Sequence, residues 1–401
     1  MSLKNKNILV GISGGIAAYK IPELIRLLKK AGAEVKVTTT KNALEFVTSL
    51  TLQTLSGHPV YSDVFAAINE HSTEHISLPD WADLMIIAPA TTNLLCKMAH
   101  GIADDALTTT FAAMRKPVVI APAMNTNMYN SPATQQAISI LSRWENITML
   151  DAASGELACG TSGKGRMQEI DVIAAAAEYA LTPKTLLGKQ ILITAGPTQE
   201  AIDPVRYITN ASTGKMGYAL ARTCLNRGAK VTLISGPCQV TLQPWQEFCP
   251  LQMINVASSA EMCKATTQAF ENADIAILCA AVADFTPKDI ADKKIKKQPG
   301  QTEMTLQLQT TTDIAATLGQ MKQAHQTLVG FALETHNEQA NAERKLQAKN
   351  LDMIVLNSLQ DQGAGFGVDT NKVTLLYANG TKKDLPLLSK QEVADAIISN
   401  L

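Results

Sequence analysis

Three stretches of this chain gather residue types that do chemistry. The first, Pro122-Ala123-Met124-Asn125-Thr126-Asn127-Met128-Tyr129, follows the apolar segment Val118-Val119-Ile120-Ala121. A buried strand opening onto Asn125, Met128 and an aromatic ring makes a small pocket with one amide handle. His75 lies upstream and a Gly-rich segment carrying Cys159 lies downstream. These types together suit an enzyme acting on a small substrate held against a cofactor. The second stretch, Asn210-Ala211-Ser212-Thr213-Gly214-Lys215, puts hydroxyls, a glycine and a cation at the start of a helix. Free backbone N–H groups and the helix dipole make such a start a phosphate cradle. It is not a Walker A loop, because the G-x-x-x-x-G-K-[ST] spacing is absent. The third runs from Ala280-Ala281-Val282-Ala283-Asp284-Phe285 to Lys293-Lys294-Ile295-Lys296-Lys297. Four lysines in five positions suit a solvated loop. Beside an acidic strand end they also suit a triphosphate, neutralising charge as pyrophosphate departs. Asp284 suits Mg²⁺ or a nucleotide hydroxyl, Phe331 suits a base, and Lys345 and Lys349, four residues apart, share a helix face that reaches phosphate oxygens.

The elements that must position these residues recur in two halves. The first half opens on Ile8-Leu9-Val10-Gly11-Ile12, then Ser13-Gly14-Gly15. An amphipathic stretch follows with Ile16, Ile21, Leu24, Ile25 and Leu28 near one face, ending at Ala31-Gly32, and Val35-Lys36-Val37 closes a β-α-β unit. The pattern repeats at Ile191-Leu192-Ile193-Thr194-Ala195-Gly196, with a helix about Tyr218–Asn226 and the strand Val231-Thr232-Leu233-Ile234. Further apolar runs fall at residues 84–88, 118–121 and 147–150, and at 275–279, 328–331 and 353–356. Short β-branched runs alternating with helical stretches predict an α/β protein of two doubly wound parallel-sheet domains. The boundary is expected near Leu181-Thr182-Pro183-Lys184-Thr185, giving domains 1–183 and 184–401. Residues 373–385, with Asn379-Gly380 in the middle, predict a hairpin on a type I′ turn.

The first Gly loop indicates what kind of cofactor fits. Gly11-Ile12-Ser13-Gly14-Gly15 is not G-x-G-x-x-G, and Thr38-Thr39-Thr40-Lys41 stands where a dinucleotide site needs an acid for its ribose. Hydroxyls on Thr39 and Thr40 with a lysine suit a terminal phosphate instead, with Ser13, Gly14 and Gly15 at the helix start. A mononucleotide follows; a bare Gly-rich β-α turn is the other reading of the same loop.

With His75-Ile76-Ser77-Leu78-Pro79-Asp80-Trp81-Ala82-Asp83 and Ala88-Pro89-Ala90-Thr91-Thr92-Asn93 added, the first half resembles the flavin-dependent cysteine decarboxylases. That resemblance implies FMN held by Ser13, Gly14, Gly15, Thr39, Thr40, Thr91, Thr92, Asn93 and Ala123. It makes His75, Asn125 and Cys159 catalytic, with Asn125 and Met128 against the substrate. Two-electron oxidation of the thiol-bearing carbon would give a thioaldehyde whose C=S accepts charge as CO₂ leaves; His75 assists that oxidation and Cys159 donates the last proton. Tyr129 stands where the family carries Trp, which is expected to alter packing and not activity.

The second half, with Asp203-Pro204-Val205-Arg206-Tyr207-Ile208-Thr209-Asn210, Ala280–Asp284 and Lys294–Lys297, is similar to the bacterial CTP-using phosphopantothenate–cysteine ligases. The resemblance implies an acyl-cytidylate made from CTP and then attacked by the cysteine amine. Arg206 and Asn210 would bind substrate, Asn210 and Lys294 would act in the chemistry, and Asp284, Lys294, Thr312, Asp313, Phe331, Lys345 and Lys349 would line the CTP site. Mg²⁺ is expected with the triphosphate, its ligands open. Both halves match in order, so the chain resembles the bifunctional decarboxylase/ligase family of bacterial coenzyme A synthesis. By that analogy the decarboxylase halves form trimers and the ligase halves dimers.

Composition agrees with a small-molecule enzyme. The 401 residues carry a formal net charge of −1, so no bulk attraction to nucleic acid or an anionic membrane is expected. Lys4-Asn5-Lys6 leads straight into a strand-like run, so neither a signal peptide nor a spanning helix is expected. Seven cysteines, none paired in Cys-x-x-Cys, argue for reduced thiols and a cytoplasmic location and against a disulfide framework or a zinc site. Three rivals meet obstacles: an NAD-dependent dehydrogenase needs the missing acid after Val37, an inactive flavoprotein partner lacks the His, Asn or Cys, and a peptide-cysteine decarboxylase has no use for the second half.

Overall fold

In the computed structural model the described residues are 3–65, 73–156, 160, 162–334, 336–358 and 367–401. They form two units, Met1–Pro183 with Pro244–Phe248, and Lys184–Gln243 with Cys249–Leu401. The first is built on six parallel strands: β1 (Asn7–Ile12), β2 (Glu34–Thr39), β3 (Val60–Tyr61), β4 (Leu84–Ala90), β5 (Val118–Pro122) and β6 (Ile147–Met149). Their order is β3-β2-β1-β4-β5-β6. Successive residues of a strand point to opposite faces, so a sheet covered on both sides demands unbroken apolar runs. Val10, Ile12, Leu84 and Ile86 therefore enter one core with the helices Ile21–Lys30 and Ile170–Leu181. Leu9, Met85 and Ile87 enter another with Leu94, Leu95 and Leu107 of two helices on the opposite face. Chain order reverses between β1 and β4, which opens a crevice beyond their C-terminal ends. A hairpin, β7 (Ala153–Glu156) and β8 (Ser162–Arg166), follows β6.

The helix after β1 differs from the sequence expectation. Residues Ile16–Lys20 form a 3₁₀ turn, and the α-helix starts at Ile21 with Pro22 in its first turn. Proline suits that position because its missing N–H is unpaired there in any case. Ile16 thereby leaves the buried face and is 56% exposed.

The second unit repeats the plan. Its strands are β9 (Gln190–Ala195), β10 (Gln199–Ala201), β11 (Tyr207–Thr209), β12 (Lys230–Ser235), β13 (Leu251–Asn255), β14 (Ile275–Leu278), β15 (Phe285–Pro287), β16 (Leu308–Thr310), β17 (Thr327–Glu334), β18 (Met353–Ser358), β19 (Thr370–Asn371), β20 (Val373–Tyr377) and β21 (Lys382–Asp384). The main sheet has the order β13-β12-β9-β14-β17-β18-β20-β21, parallel up to β18 and antiparallel for the last two. Order reverses again, between β9 and β14. The pairs β10/β11 and β15/β16 stand outside this sheet as antiparallel ribbons, as does β19 with a final strand, β22 (Leu388–Ser389). The β20–β21 hairpin is present, but its turn is not type I′. Gly380 N–H donates to the Tyr377 carbonyl and Tyr377 N–H to that of Thr381, and only Gly380 has positive φ, at 81°. That is a three-residue loop, a type I turn followed by a left-handed glycine.

Candidate active sites

Both switch points open into clefts. In the first unit the loop after β1 meets the start of the helix Thr92–Ala99, and Ser13 fastens them: its Oγ donates to the Pro89 carbonyl (2.7 Å) and accepts the Thr91 N–H (3.1 Å). Gly14 packs so closely that a Cβ there would lie 2.5 Å from Asn42 Cβ and 2.9 Å from its backbone carbon. Ser13, Gly14, Thr40, Thr91, Asn93 and Met128 line one cleft of about 500 Å³. Gly14, Gly15, Thr91, Ala123, Asn125 and Met128 line a second of about 690 Å³ that shares Gly14, Thr91 and Met128 with it. The hydroxyls of Thr38, Thr39 and Thr40 are buried without a protein partner. An unpaired buried hydroxyl is costly, and Thr40, at the cleft wall, would gain its missing partner from a phosphate oxygen. The wall thus fits a mononucleotide cofactor. Thr39 is fully buried behind it, and the Thr92 hydroxyl is engaged with Met124 Sδ and Thr134 Oγ1; neither lines a cleft.

Asn125 caps the short helix Thr126–Tyr129, its Oδ1 accepting the Asn127 N–H at 2.8 Å. The segment is clamped from above by β8. Met124 N–H donates to the Gly165 carbonyl (2.9 Å), and Cβ atoms on Gly163 or Gly165 would lie 2.5 Å from Thr126 Oγ1 or 2.3 Å from the Met124 carbonyl oxygen. Behind it the Tyr129 hydroxyl donates to Asp151 (2.5 Å), which is also ion-paired to Lys164 of β8. Burial, then the Asp151 carboxylate, pushes the Tyr129 phenol up to about 12. His75, in the helix Glu74–Trp81, has a buried Nδ1 without a partner and lines neither cleft. Cys159 lies outside the described residues. Glu156 and Arg166, which bracket the Gly-rich segment carrying Cys159, line the larger cleft, as do Tyr19 and Lys20, which no local sequence pattern marks.

In the second unit one cleft of about 430 Å³ gathers Asp284, Thr312, Asp313, Phe331, Lys345 and Lys349. A neighbouring one of about 370 Å³ holds Asn210, Ser212, Thr213, Gly214 and Lys215, and shares Asp284 and Phe331. Lys345 is ion-paired to Glu334 (2.7 Å) and Lys349 to Asp313 (2.9 Å). Asp313 caps the helix Ile314–Met321. Burial raises its carboxyl, but the Ala316 N–H and Lys349 outweigh burial and hold it below the usual carboxylate range. The helix Lys215–Asn226 starts after left-handed Gly214 with no side-chain cap, which leaves its first N–H groups available to an anion. Lys215 is paired to Asp369 (2.6 Å). Asn210 Nδ2 donates to the Ala281 and Val282 carbonyls (3.1 and 3.2 Å), fixing the amide over the strand end.

Two residues expected in this site lie elsewhere. Lys294 lines neither cleft, and the Arg206 guanidinium is engaged with Asp203. Asn357, Asn371 and Lys390 join the second cleft from the far end of the chain, and the Asn357 Oδ1 is buried without a partner. Cys279 also lines it, but burial pushes its thiol up to about 12, which makes it a packing residue and not a nucleophile. Among the described residues no three His, Cys, Asp or Glu side chains form a metal-binding group, and no helix is long and apolar enough to cross a membrane.

Residues 1–180 match the Flavoprotein family model, and residues 186–401 match that of the DNA/pantothenate metabolism flavoprotein C-terminal domain. The chain is 49% identical to the coenzyme A biosynthesis bifunctional protein CoaBC of Bacillus subtilis, over all of this chain and 97% of that protein. It is also 49% identical to a cysteine/cysteine sulfinic acid decarboxylase from an unknown prokaryotic organism, over 88% of this chain and 98% of that one. A solved C-terminal domain of a CoaBC protein is 41% identical, covering 54% of this chain and 95% of its own, with a TM-score of 0.45. Two family models in tandem and a near-full-length match at this identity place the chain in the family of coenzyme A biosynthesis bifunctional proteins.

Proposed function

We propose that the second unit joins 4′-phosphopantothenate to L-cysteine using CTP, and that the first decarboxylates the resulting 4′-phosphopantothenoylcysteine to 4′-phosphopantetheine using FMN. The observation that carries this reading is the pairing, in one chain, of two switch-point clefts of different chemistry. One has Gly14 and Thr40 for a phosphate and the Asn125 amide for a substrate; the other has a nucleotide wall beside an uncapped helix start. In ligation the substrate carboxylate attacks the α-phosphorus of CTP and pyrophosphate leaves. The cysteine amine then attacks the acyl-cytidylate, giving the amide, CMP and a proton. Phe331 faces the base, Lys345 and Lys349 hold phosphate oxygens once released from Glu334 and Asp313, and Asn210 keeps the acyl group over the strand end. Asp284, common to both clefts, suits the Mg²⁺ carried by the triphosphate.

In decarboxylation FMN supplies a reversible two-electron acceptor. The chain supplies the rest: Gly14, Gly15, Thr40, Thr91, Asn93 and Ala123 hold the cofactor, Asn125 and Met128 hold the substrate, and β8 excludes water from above. The family resemblance assigns proton donation to Cys159 and assistance in the oxidation to His75. Homo-oligomers fit this reading. Val205, Tyr207, Phe285, Ile290 and Leu308 are each about half exposed on or beside the ribbons β10/β11 and β15/β16 of the ligase unit, which suits a dimer contact.

The test is incubation of the full chain with phosphopantothenate, cysteine, CTP, Mg²⁺ and FMN, followed by mass spectrometry. The expected products are 4′-phosphopantetheine, CMP, pyrophosphate and CO₂. Omission of CTP should stop ligation and leave decarboxylation of supplied phosphopantothenoylcysteine intact. The relative named for cysteine and cysteine sulfinic acid favours a second reading, direct decarboxylation of the free amino acid. CO₂ released from cysteine alone, with none from phosphopantothenoylcysteine, would replace the first reading with the second.

A further inference from the structure

We propose that Asp203 is a positioning residue for ligation: acting through Arg206 and Ile295, it ties the lysine run Lys293–Lys297, which lies outside both clefts, to the chain that enters them at Asn210, keeping the run within reach of a bound polyphosphate. This rests on the reading of the second unit as a nucleotide-using ligase. The Asp203 side chain is fully buried, and its carboxylate accepts five hydrogen bonds. Oδ1 takes the Val205 and Arg206 backbone N–H groups at 2.8 and 2.9 Å. Oδ2 takes Arg206 Nε (3.0 Å), Arg206 Nη2 (2.6 Å) and the Ile295 N–H (3.1 Å). Arg206 Nη2 also donates to the Ile295 carbonyl at 2.5 Å. Both backbone polar groups of Ile295 are therefore held by one ion pair. A second strut runs from the Ala291 N–H to the Ile202 carbonyl (3.1 Å).

The charge arithmetic points to a polyanion. Asp203 and Arg206 cancel each other. Lys293, Lys294, Lys296 and Lys297 are all exposed, and none makes an ion pair or hydrogen bond among the described residues. Four like charges in five positions repel, so the run needs a fastening at its centre, and half-buried Ile295 provides it. Both fastened segments lead into the clefts. Asn210 comes four residues after Arg206, and the excursion carrying the lysines leaves from Asp284-Phe285 and returns at Thr310–Asp313, all cleft residues. The excursion is closed at its root by Thr311, whose N–H donates to the Asp284 carbonyl (3.0 Å) and whose Oγ1 donates to the Ala283 carbonyl (2.7 Å). The ion pair thus ties the chain entering Asn210 to the chain bearing Lys294. This arrangement gives Arg206 a brace's role and not a substrate ligand's.

The test uses the full chain carrying Asp203→Asn, with Arg206→Met as a second variant should the first fail to fold. Trypsin cleavage after Lys293–Lys297, followed by mass spectrometry, is expected to speed up about tenfold, since each variant unpairs part of the Ile295 anchor. The KM for CTP in ligation should rise about tenfold, whereas a structural defect would lower the active fraction and leave KM alone. On a Lys294→Ala background Asp203→Asn should add less than about threefold, because both changes remove the same interaction. Cleavage and KM within about twofold of the unmodified chain, or full multiplication of the two effects, overturns the proposal. If the unmodified chain makes no acyl-cytidylate, the ligase reading fails, and the proteolysis arm still decides whether Asp203 anchors the run.

Discussion

Tyr129 shows how one exchanged side chain is absorbed. Where the resemblance to the decarboxylases implies Trp, this chain buries a phenol whose hydroxyl donates to Asp151, and Asp151 in turn pairs with Lys164 of the overlying hairpin. The network is partly exposed, so Tyr129→Phe should cost only about 1 kcal/mol. Its signature is the pH dependence. The phenol pKa rises from 10 to about 12 in the folded chain, through burial first and Asp151 second. A raised folded-state pKa contributes stability that is complete below pH 10 and disappears as pH climbs towards 12. Thermal unfolding of the first unit should therefore show an alkaline decline between those limits that is absent in Tyr129→Phe. An identical decline in both chains would remove the network from the account. Asp203 teaches the complementary lesson. Its partner Arg206 stands three residues on, in a spacing that reads as a motif but not as a pair, because the two meet through a turn in which Asp203 Oδ1 accepts the Val205 and Arg206 N–H groups and not on a helix face.

At the scale of elements, the parallel strands were legible because burial on both faces leaves no polar position to confuse the pattern. Residues 84–88, 118–121, 275–279 and 353–356 all mark strands of the two sheets. The short ribbons β10/β11 and β15/β16 were not legible, since three residues hold too little periodicity to reveal a strand. The helix Ile21–Lys30 was read one turn too early because Ile16 fits the apolar spacing; only Pro22 signals the restart. The helix Lys215–Asn226 carries the sharper consequence. Its N-cap, Gly214, has φ 75° and offers no side chain, so its first N–H groups await an anion. Gly214→Ala should strain that conformation by about 1 kcal/mol and crowd Cys238 Sγ, which lies 3.1 Å from the added carbon. The expected result is a rise of about tenfold in KM for a phosphate-bearing substrate of ligation. Decarboxylation of supplied phosphopantothenoylcysteine should continue. Equal KM values would mean that the helix start binds no phosphate.

At the scale of the molecule, sequence order and spatial unit do not coincide. The repeat of strand, Gly turn and helix announced two doubly wound halves, and each half carries the strand order that places a crevice between its first and fourth parallel strands. Nothing in that repeat reveals that Pro244–Phe248, from the second half, packs with the first unit. Phe248 meets Tyr179 edge to face, with ring centroids 5.6 Å apart, and lies against the core that supports β1 and β4. Gln168 Nε2 adds a hydrogen bond to Glu247 at 3.4 Å. An aromatic pair of this kind contributes about 0.5–1.5 kcal/mol beyond the area it buries. Phe248→Ala should therefore lower the unfolding temperature of the flavin-type unit, and the rise in flavin fluorescence as the cofactor is released on heating should report it. Because Tyr179 is in the helix that covers β4 and β5, and those strands lead directly into Thr91 and Ala123, the variant should also release bound flavin more readily at a fixed temperature. Ligation kinetics at moderate temperature should not change. If the variant instead retained flavin like the unmodified chain and lost only ligation, Phe248 would belong energetically to the half in which its sequence lies.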